Sequence, residues 1–251
     1  MILHAPGRSA RTVALALLAA AALLLPSATR AQTEPESPVA PVVLRNGLQL
    51  SFFTGPSLNV FTGGYRATDE LNFVAQASSW SMPAGLALNI PLWSDAALYL
   101  RGGWMPTRTT FFLGKTDSLR SGLGVGEIGE DFTFSYSMFQ FDVLFRLIGK
   151  MDGERVFVGP SFGFVREKKV RIIETEYPTG RQYLLEDTEI SGALATRVSI
   201  VIGAEYAFTP FKDLYIIPSL QVDYGPSAIS SEQPLKMIMY KFLVNIAWQV
   251  F

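Results

Sequence analysis

The chain has 251 residues, 49% of them hydrophobic, yet after residue 31 no stretch approaches the roughly 18 continuous apolar residues of a spanning helix. With 21 basic against 22 acidic residues it lacks the positive excess that nucleic-acid binding requires, so no nucleic-acid partner is expected. There is no cysteine and one histidine, which excludes disulfides, thiol chemistry and a lipid anchor on Cys.

Residues 1–31 read as a secretory signal. Arg8 and Arg11 precede the apolar run Val13 to Leu25, Pro26 breaks it, and Thr29-Arg30-Ala31 offers small residues for cleavage after Ala31. The only histidine, His4, leaves with that segment. Cleavage also removes three arginines and no acids, leaving 18 basic against 22 acidic residues. Residues 32–46, with three prolines and no alternation, are expected to form a periplasmic linker.

From residue 47 to 251 the side chains alternate with a period of two, the pattern of β-strands with one apolar face. Eight strands are predicted near 47–61, 82–92, 96–113, 131–149, 154–170, 189–209, 213–225 and 236–251. The connections 93–95, 150–153 and 210–212 are short; those near 62–81, 114–130, 171–188 and 226–235 are long, polar and Gly-rich. Short turns on one rim and long loops on the other are the signature of an up-and-down transmembrane β-barrel. The expected fold is therefore all-β, an eight-stranded antiparallel up-and-down transmembrane β-barrel with both termini periplasmic.

Even-numbered residues make the apolar face of most strands: Leu50 and Phe52, Leu86 and Leu88, Val156 and Val158, Ile200 and Ile202, Phe242 and Ile246. The fourth strand changes parity, from Phe132, Phe134, Tyr136 and Met138 to Phe139, Phe141, Val143 and Phe145, which predicts a β-bulge near Met138. The opposite face is small and sparsely charged, suiting a narrow, filled lumen rather than the water-facing side of a soluble, secreted barrel. It carries Arg101, Asp142, Arg146, Arg197, Glu205, Asp223 and Lys241, of which the three arginines and three carboxylates are expected to neutralise one another. Trp80, Trp93, Trp104 and Trp248 fall at two heights, as interfacial girdles do. Pro56, Pro106, Pro160 and Pro218 each precede Ser or Thr in an ascending strand, where recurrent kinks or bulges are expected.

Stretches such as Val156-Phe157-Val158-Gly159-Pro160-Ser161-Phe162-Gly163 and Ile200-Val201-Ile202-Gly203-Ala204-Glu205-Tyr206 resemble strands of small OmpA/OmpX-type outer-membrane barrels, and most closely the PorT-like outer membrane protein β-barrel domain. The resemblance implies outer-membrane localisation in a Gram-negative bacterium, contact with lipid and the assembly machinery, and membership of an envelope or secretion complex. The C-terminus departs from the usual assembly signal, because Phe251 is out of phase with the apolar set Tyr240 to Val250.

No enzyme is expected, because the related barrel hydrolases use a histidine base and the mature chain has none. Eight strands are too few for a porin. Glu174, Glu176, Glu186, Asp187 and Glu189 lack calcium-loop spacing and read as a solvated acidic loop, so no metal or cofactor is assigned. The stretch Glu167-Lys168-Lys169-Val170-Arg171 reads as a solvated strand end, the alternative being contact with anionic lipopolysaccharide at the outer interface. The function expected is that of a non-enzymatic structural or interaction barrel. The alternative is a small-solute or lipid-handling barrel with a narrow gated lumen.

Overall fold

The structure, a computed structural model, describes residues 47–68, 71–116, 128–148, 153–176, 179–211, 214–232 and 234–250. The expected signal segment and linker, and residues 150–152 of the expected turn 150–153, lie outside the described residues; of the expected turn 210–212, Pro210 and Phe211 are strand and residue 212 lies outside them. Among the described residues there is no helix, and every strand pairing is antiparallel.

Chain order gives β1 (Gln49–Thr54), β2 (Ser57–Thr68), β3 (Leu71–Ser81), β4 (Ala84–Pro91), β5 (Ala96–Met105), β6 (Arg108–Thr116) and β7 (Ile128–Ile148). There follow β8 (Glu154–Glu176), β9 (Arg181–Glu189), β10 (Thr196–Tyr206), β11 (Phe208–Phe211), β12 (Leu214–Tyr224) and β13 (Lys236–Gln249). β4 pairs with β1 and β5; β5 with β7; β7 with β8; β8 with β10; β10 with β12. β13 pairs with both β12 and β1, so the eight strands pair in a ring. β2, β3, β6 and β9 prolong the neighbouring strands beyond one end of that ring.

Two of the expected long loops are therefore largely strand. The segment 62–81 is most of the β2–β3 hairpin, and 171–188 is the tip of the β8–β9 hairpin. Of the expected loop 114–130, residues 114–116 end β6 and residues 128–130 begin β7, and residues 117–127 lie outside the described residues. Gly, Thr and charged residues mark a solvated strand as readily as a loop, and on β8 the buried face at that height changes from odd to even residues (Val170, Ile172), which breaks the alternation that reveals strands lower down. The stretch Ile190–Ala195, expected as strand, is instead irregular and bonds to the β12–β13 connection through Leu194 N–H to Ile229 O and Ser231 N–H to Gly192 O.

The expected parity change in β7 is corrected. Its even residues from Phe132 to Arg146 are all buried, and Phe132, Phe134, Tyr136 and Met138 are fully so. What changes with height is the character of the interior, polar below and apolar above. A register shift does occur between Ser137 and Met138, but the extra residue is Arg166 on β8, whose buried parity switches from odd (Ser161, Gly163) to even (Val170, Ile172). Met138 and Phe139 form a continuous apolar run, so the sequence of β7 alone could not separate a bulge from a change in lining.

Pro56 and Pro106 lie in the breaks between β1 and β2 and between β5 and β6. Gly55 supplies the break with a φ of 153°, at a point where Phe242 N–H reaches across to Pro56 O. Pro160 and Pro218 stay within strands. Pro160 matches Ile200 on β10, but no match to β7 is made at Val143 and Leu144, consistent with its missing N–H.

Candidate functional site: the enclosed charge network

The ring is inside-out relative to a soluble domain. Phe52, Leu86, Phe139, Val156, Val158, Phe162, Val198, Ile200, Ile202 and Phe242 are exposed on its outer side, while charged side chains are buried within. The exposed tryptophans mark both limits of the apolar belt. Trp80 stands opposite Leu58, and Trp104 opposite Ala84 and Phe139, towards the hairpin end. Trp248 stands opposite Leu50 and Leu214 at the turn end, where the Trp93 ring also meets Phe145 edge-on at 6.4 Å. On β7 and β8 the belt stops at Phe139 and Phe164; beyond it the outer face is Ser135, Thr133, Lys169 and Arg171.

Inside, strand parity brings the six charged residues into two groups. In the first, Arg101 pairs with Asp142 at 2.6 Å and donates to Gln221 Oε1 at 2.7 Å. Asp223 receives Arg197 at 2.9 Å and Lys241 at 3.1 Å. Gln140 ties the halves together: its Nε2 lies 2.8 Å from both Asp142 Oδ1 and Asp223 Oδ2, and its Oε1 accepts from Lys241 at 3.0 Å. Arg197 also donates to Ser199 Oγ and Met237 O, each at 3.1 Å.

The second group lies nearer the turn end. Glu205 takes Arg146 at 3.0 Å and, from its cross-strand neighbour, Arg155 at 3.4 Å, both on Oε1. Arg146 also donates to Asn89 Oδ1 at 2.7 Å and stacks on the Tyr99 ring at 3.7 Å. Tyr99 separates the groups: its ring lies 6.0 Å below the Arg101 guanidinium, and its hydroxyl donates to Asn245 Oδ1 at 2.9 Å.

Sequence parity brought out the six residues but not their balance. Arg155 and Lys241 are also buried in these contacts, giving five cations against three carboxylates instead of three against three. Lys241 was visible on the inner parity of the last strand. Arg155 begins a strand and was hidden by its turn-like neighbours. Gln140, the connector, sits where the apparent parity change in β7 obscured the inner face.

Above the first group the interior is closed by apolar side chains: Met105, Phe132, Phe134, Met138, Val170, Ile172 and Met237 form one buried cluster. Ile190, Ile229 and Leu235 complete it from the irregular segments at the hairpin end. The expected acidic loop divides. Asp187 and Glu189 are exposed, whereas Glu174 is buried on the inner parity of β8 because the Arg166 bulge turned it there. Packing closes further down as well: a Cβ on Gly103 would lie 2.6 Å from Phe53 Cζ, as would one on Gly85, so Phe53 fills the space these glycines leave.

No family model matches the chain, and no curated protein does. Among solved structures it is similar to Ail, the attachment invasion locus protein of Yersinia pestis, at 12% identity, covering 80% of this chain and 99% of that one with a TM-score of 0.37. It is similar to Neisserial surface protein A at 8% identity, 81% and 97% coverage and a TM-score of 0.35. The outer membrane protease OmpT from Escherichia coli gives 11%, 87% and 100%, with a TM-score of 0.38. Likenesses this weak leave the reading to the chain's own geometry.

Proposed function

We infer that the chain is an integral outer-membrane β-barrel of a Gram-negative bacterium, exported by residues 1–31 and acting as a non-enzymatic structural or interaction protein. The observation that carries this is the distribution of side chains: an outer belt of exposed Leu, Ile, Val and Phe bounded by aromatic rings, around a buried ionic interior. Water would penalise such a belt over its whole height, whereas hydrocarbon accepts it, and strands paired in a ring satisfy their backbone groups by pairing with one another. Trp80, Trp104, Trp93 and Trp248 then lie at the two interfaces. The hairpins β2–β3, β6–β7 and β8–β9 project outside, where Arg166, Lys169 and Arg171 offer cations to lipopolysaccharide phosphates.

The ionic groups of Arg101, Asp142, Arg146, Arg197, Glu205 and Asp223 act structurally, holding opposite walls together. With the apolar cluster above them they favour a sealed barrel over one that handles small solutes. The surface left for function is the projecting hairpins, which suits a subunit of an envelope or secretion complex of the PorT-like kind. Reconstitution into planar bilayers tests the reading. Stable insertion without defined single-channel steps supports it; reproducible steps would overturn it in favour of the solute-handling alternative.

A further inference from the structure

Arg146 and Arg155 share one carboxylate: both approach its Oε1, at 3.0 and 3.4 Å, and Arg146 also donates to its Oε2 at 3.2 Å. All three side chains are buried, at 2%, 3% and 0% exposure. An arginine cannot shed its proton in a protein, so this triad carries a net positive charge that titration cannot remove. The first group differs, because its surplus cation includes Lys241, whose amine can become neutral. Nor, among the described residues, does a neighbour supply the missing charge. Tyr99 donates its hydroxyl proton to Asn245 and is therefore the neutral phenol, and Asn89 offers only an amide oxygen. Glu174, the remaining buried carboxylate, is nineteen residues further along β8 from Arg155, about 60 Å of extended strand. Two donors are also left over: Arg146 Nε and Arg155 Nε are buried without a hydrogen-bond partner. A bound water could accept from the two N–H groups, but only an anion would also offset the surplus charge that the same pair of side chains carries.

We propose that a small inorganic anion, chloride in the cell, binds at Arg146 and Arg155 beside Glu205 near the turn end of the ring. It brings the triad to neutrality and accepts hydrogen bonds from guanidinium N–H groups that the chain leaves unpaired. The site rests on burial and charge, and stands whether or not the barrel serves an interaction role. Thermal unfolding of the full mature protein in non-ionic detergent tests it, with sodium chloride compared against sodium gluconate at equal ionic strength so that screening is held constant. Raising chloride from about 3 to about 300 mM at the expense of gluconate should raise the unfolding temperature by roughly 5 °C. Arg155→Met, which leaves the neutral Arg146–Glu205 pair, should abolish that dependence, and Glu205→Gln, which removes the only anion, should enlarge it. Equal unfolding temperatures in the two salts, or an unchanged dependence in Arg155→Met, would overturn the proposal. Should either variant not fold, crystals of the unaltered protein grown in bromide decide: an anomalous peak within hydrogen-bonding reach of both guanidinium groups supports the site, and none there refutes it.

Discussion

Asp223 is the residue on which the first ionic group depends, and the signs of the charges around it make an asymmetric prediction. Three cations (Arg101, Arg197, Lys241) face two carboxylates (Asp142, Asp223), all buried. Asp223→Ala leaves three cations against one carboxylate, strands both Arg197 and Lys241, and removes an acceptor of Gln140. Breaking a buried pair costs about 3–5 kcal/mol, and two stranded cations place this variant at the upper end, near 5 kcal/mol. Arg197→Ala acts oppositely. It leaves two cations against two carboxylates, and Asp223 keeps Lys241 and Gln140. The loss is then mainly the hydrogen bonds to Ser199 and Met237 and the ion pair, about 2 kcal/mol. The gap of about 3 kcal/mol corresponds to a factor of roughly 150 in the unfolding equilibrium. Reversible urea unfolding from lipid vesicles, followed by tryptophan fluorescence, measures it. Equal costs for the two variants, or a cost below about 1 kcal/mol for Asp223→Ala, would refute a desolvated network with positive surplus.

Gly103→Val should destabilise by about 1–3 kcal/mol, because its side chain meets the Phe53 ring, and Phe53→Ala in the same chain should recover part of that loss in the same unfolding assay. Cysteine placed at Thr179, at the β8–β9 hairpin, should react with an impermeant maleimide on intact cells, while cysteine at Ser94, in the β4–β5 turn, should react only after the outer membrane is permeabilised; the reverse pattern would invert the topology. Samples in detergent should migrate as a compact species on gel electrophoresis until boiled and show a β-type circular dichroism spectrum, and a helical spectrum would contradict the fold.

The ring was legible in the sequence because burial there is two-sided. Leu50 to Phe52 and Tyr240 to Trp248 alternate cleanly, since one face meets an apolar exterior and the other small or charged side chains. Legibility ended where that contrast did. Above Phe139 and Phe164 the exterior turns polar and the interior apolar, so β7 appeared to swap faces when only its surroundings had changed. The same inversion hid the β8–β9 hairpin, where Val170 and Ile172 are buried and Lys169 and Arg171 exposed. Of the ionic interior, parity located Arg101, Asp142, Arg146, Arg197, Glu205 and Asp223 but not their partners. Partnership across the ring depends on register: Arg155 faces Glu205 because their strands align there, and Gln140 reaches Asp223 from a strand that is not a neighbour of β12. Those distances arise from the order and register in which the strands pair, which no local pattern encodes.

The central claim, that the outer belt meets hydrocarbon, is tested most directly by the depth of a spin label on that belt. Ile202→Cys is the choice, since Ile202 is 60% exposed, and Arg171→Cys on the outer face beyond the belt is its control. With the nitroxide-labelled protein in lipid vesicles, collision rates with oxygen and with a water-soluble nickel chelate give the depth of each site. At Ile202→Cys the label should collide readily with oxygen and hardly at all with the chelate, while at Arg171→Cys the preference should reverse. Ready access of the chelate to the label at Ile202→Cys would place the belt in water and contradict the account.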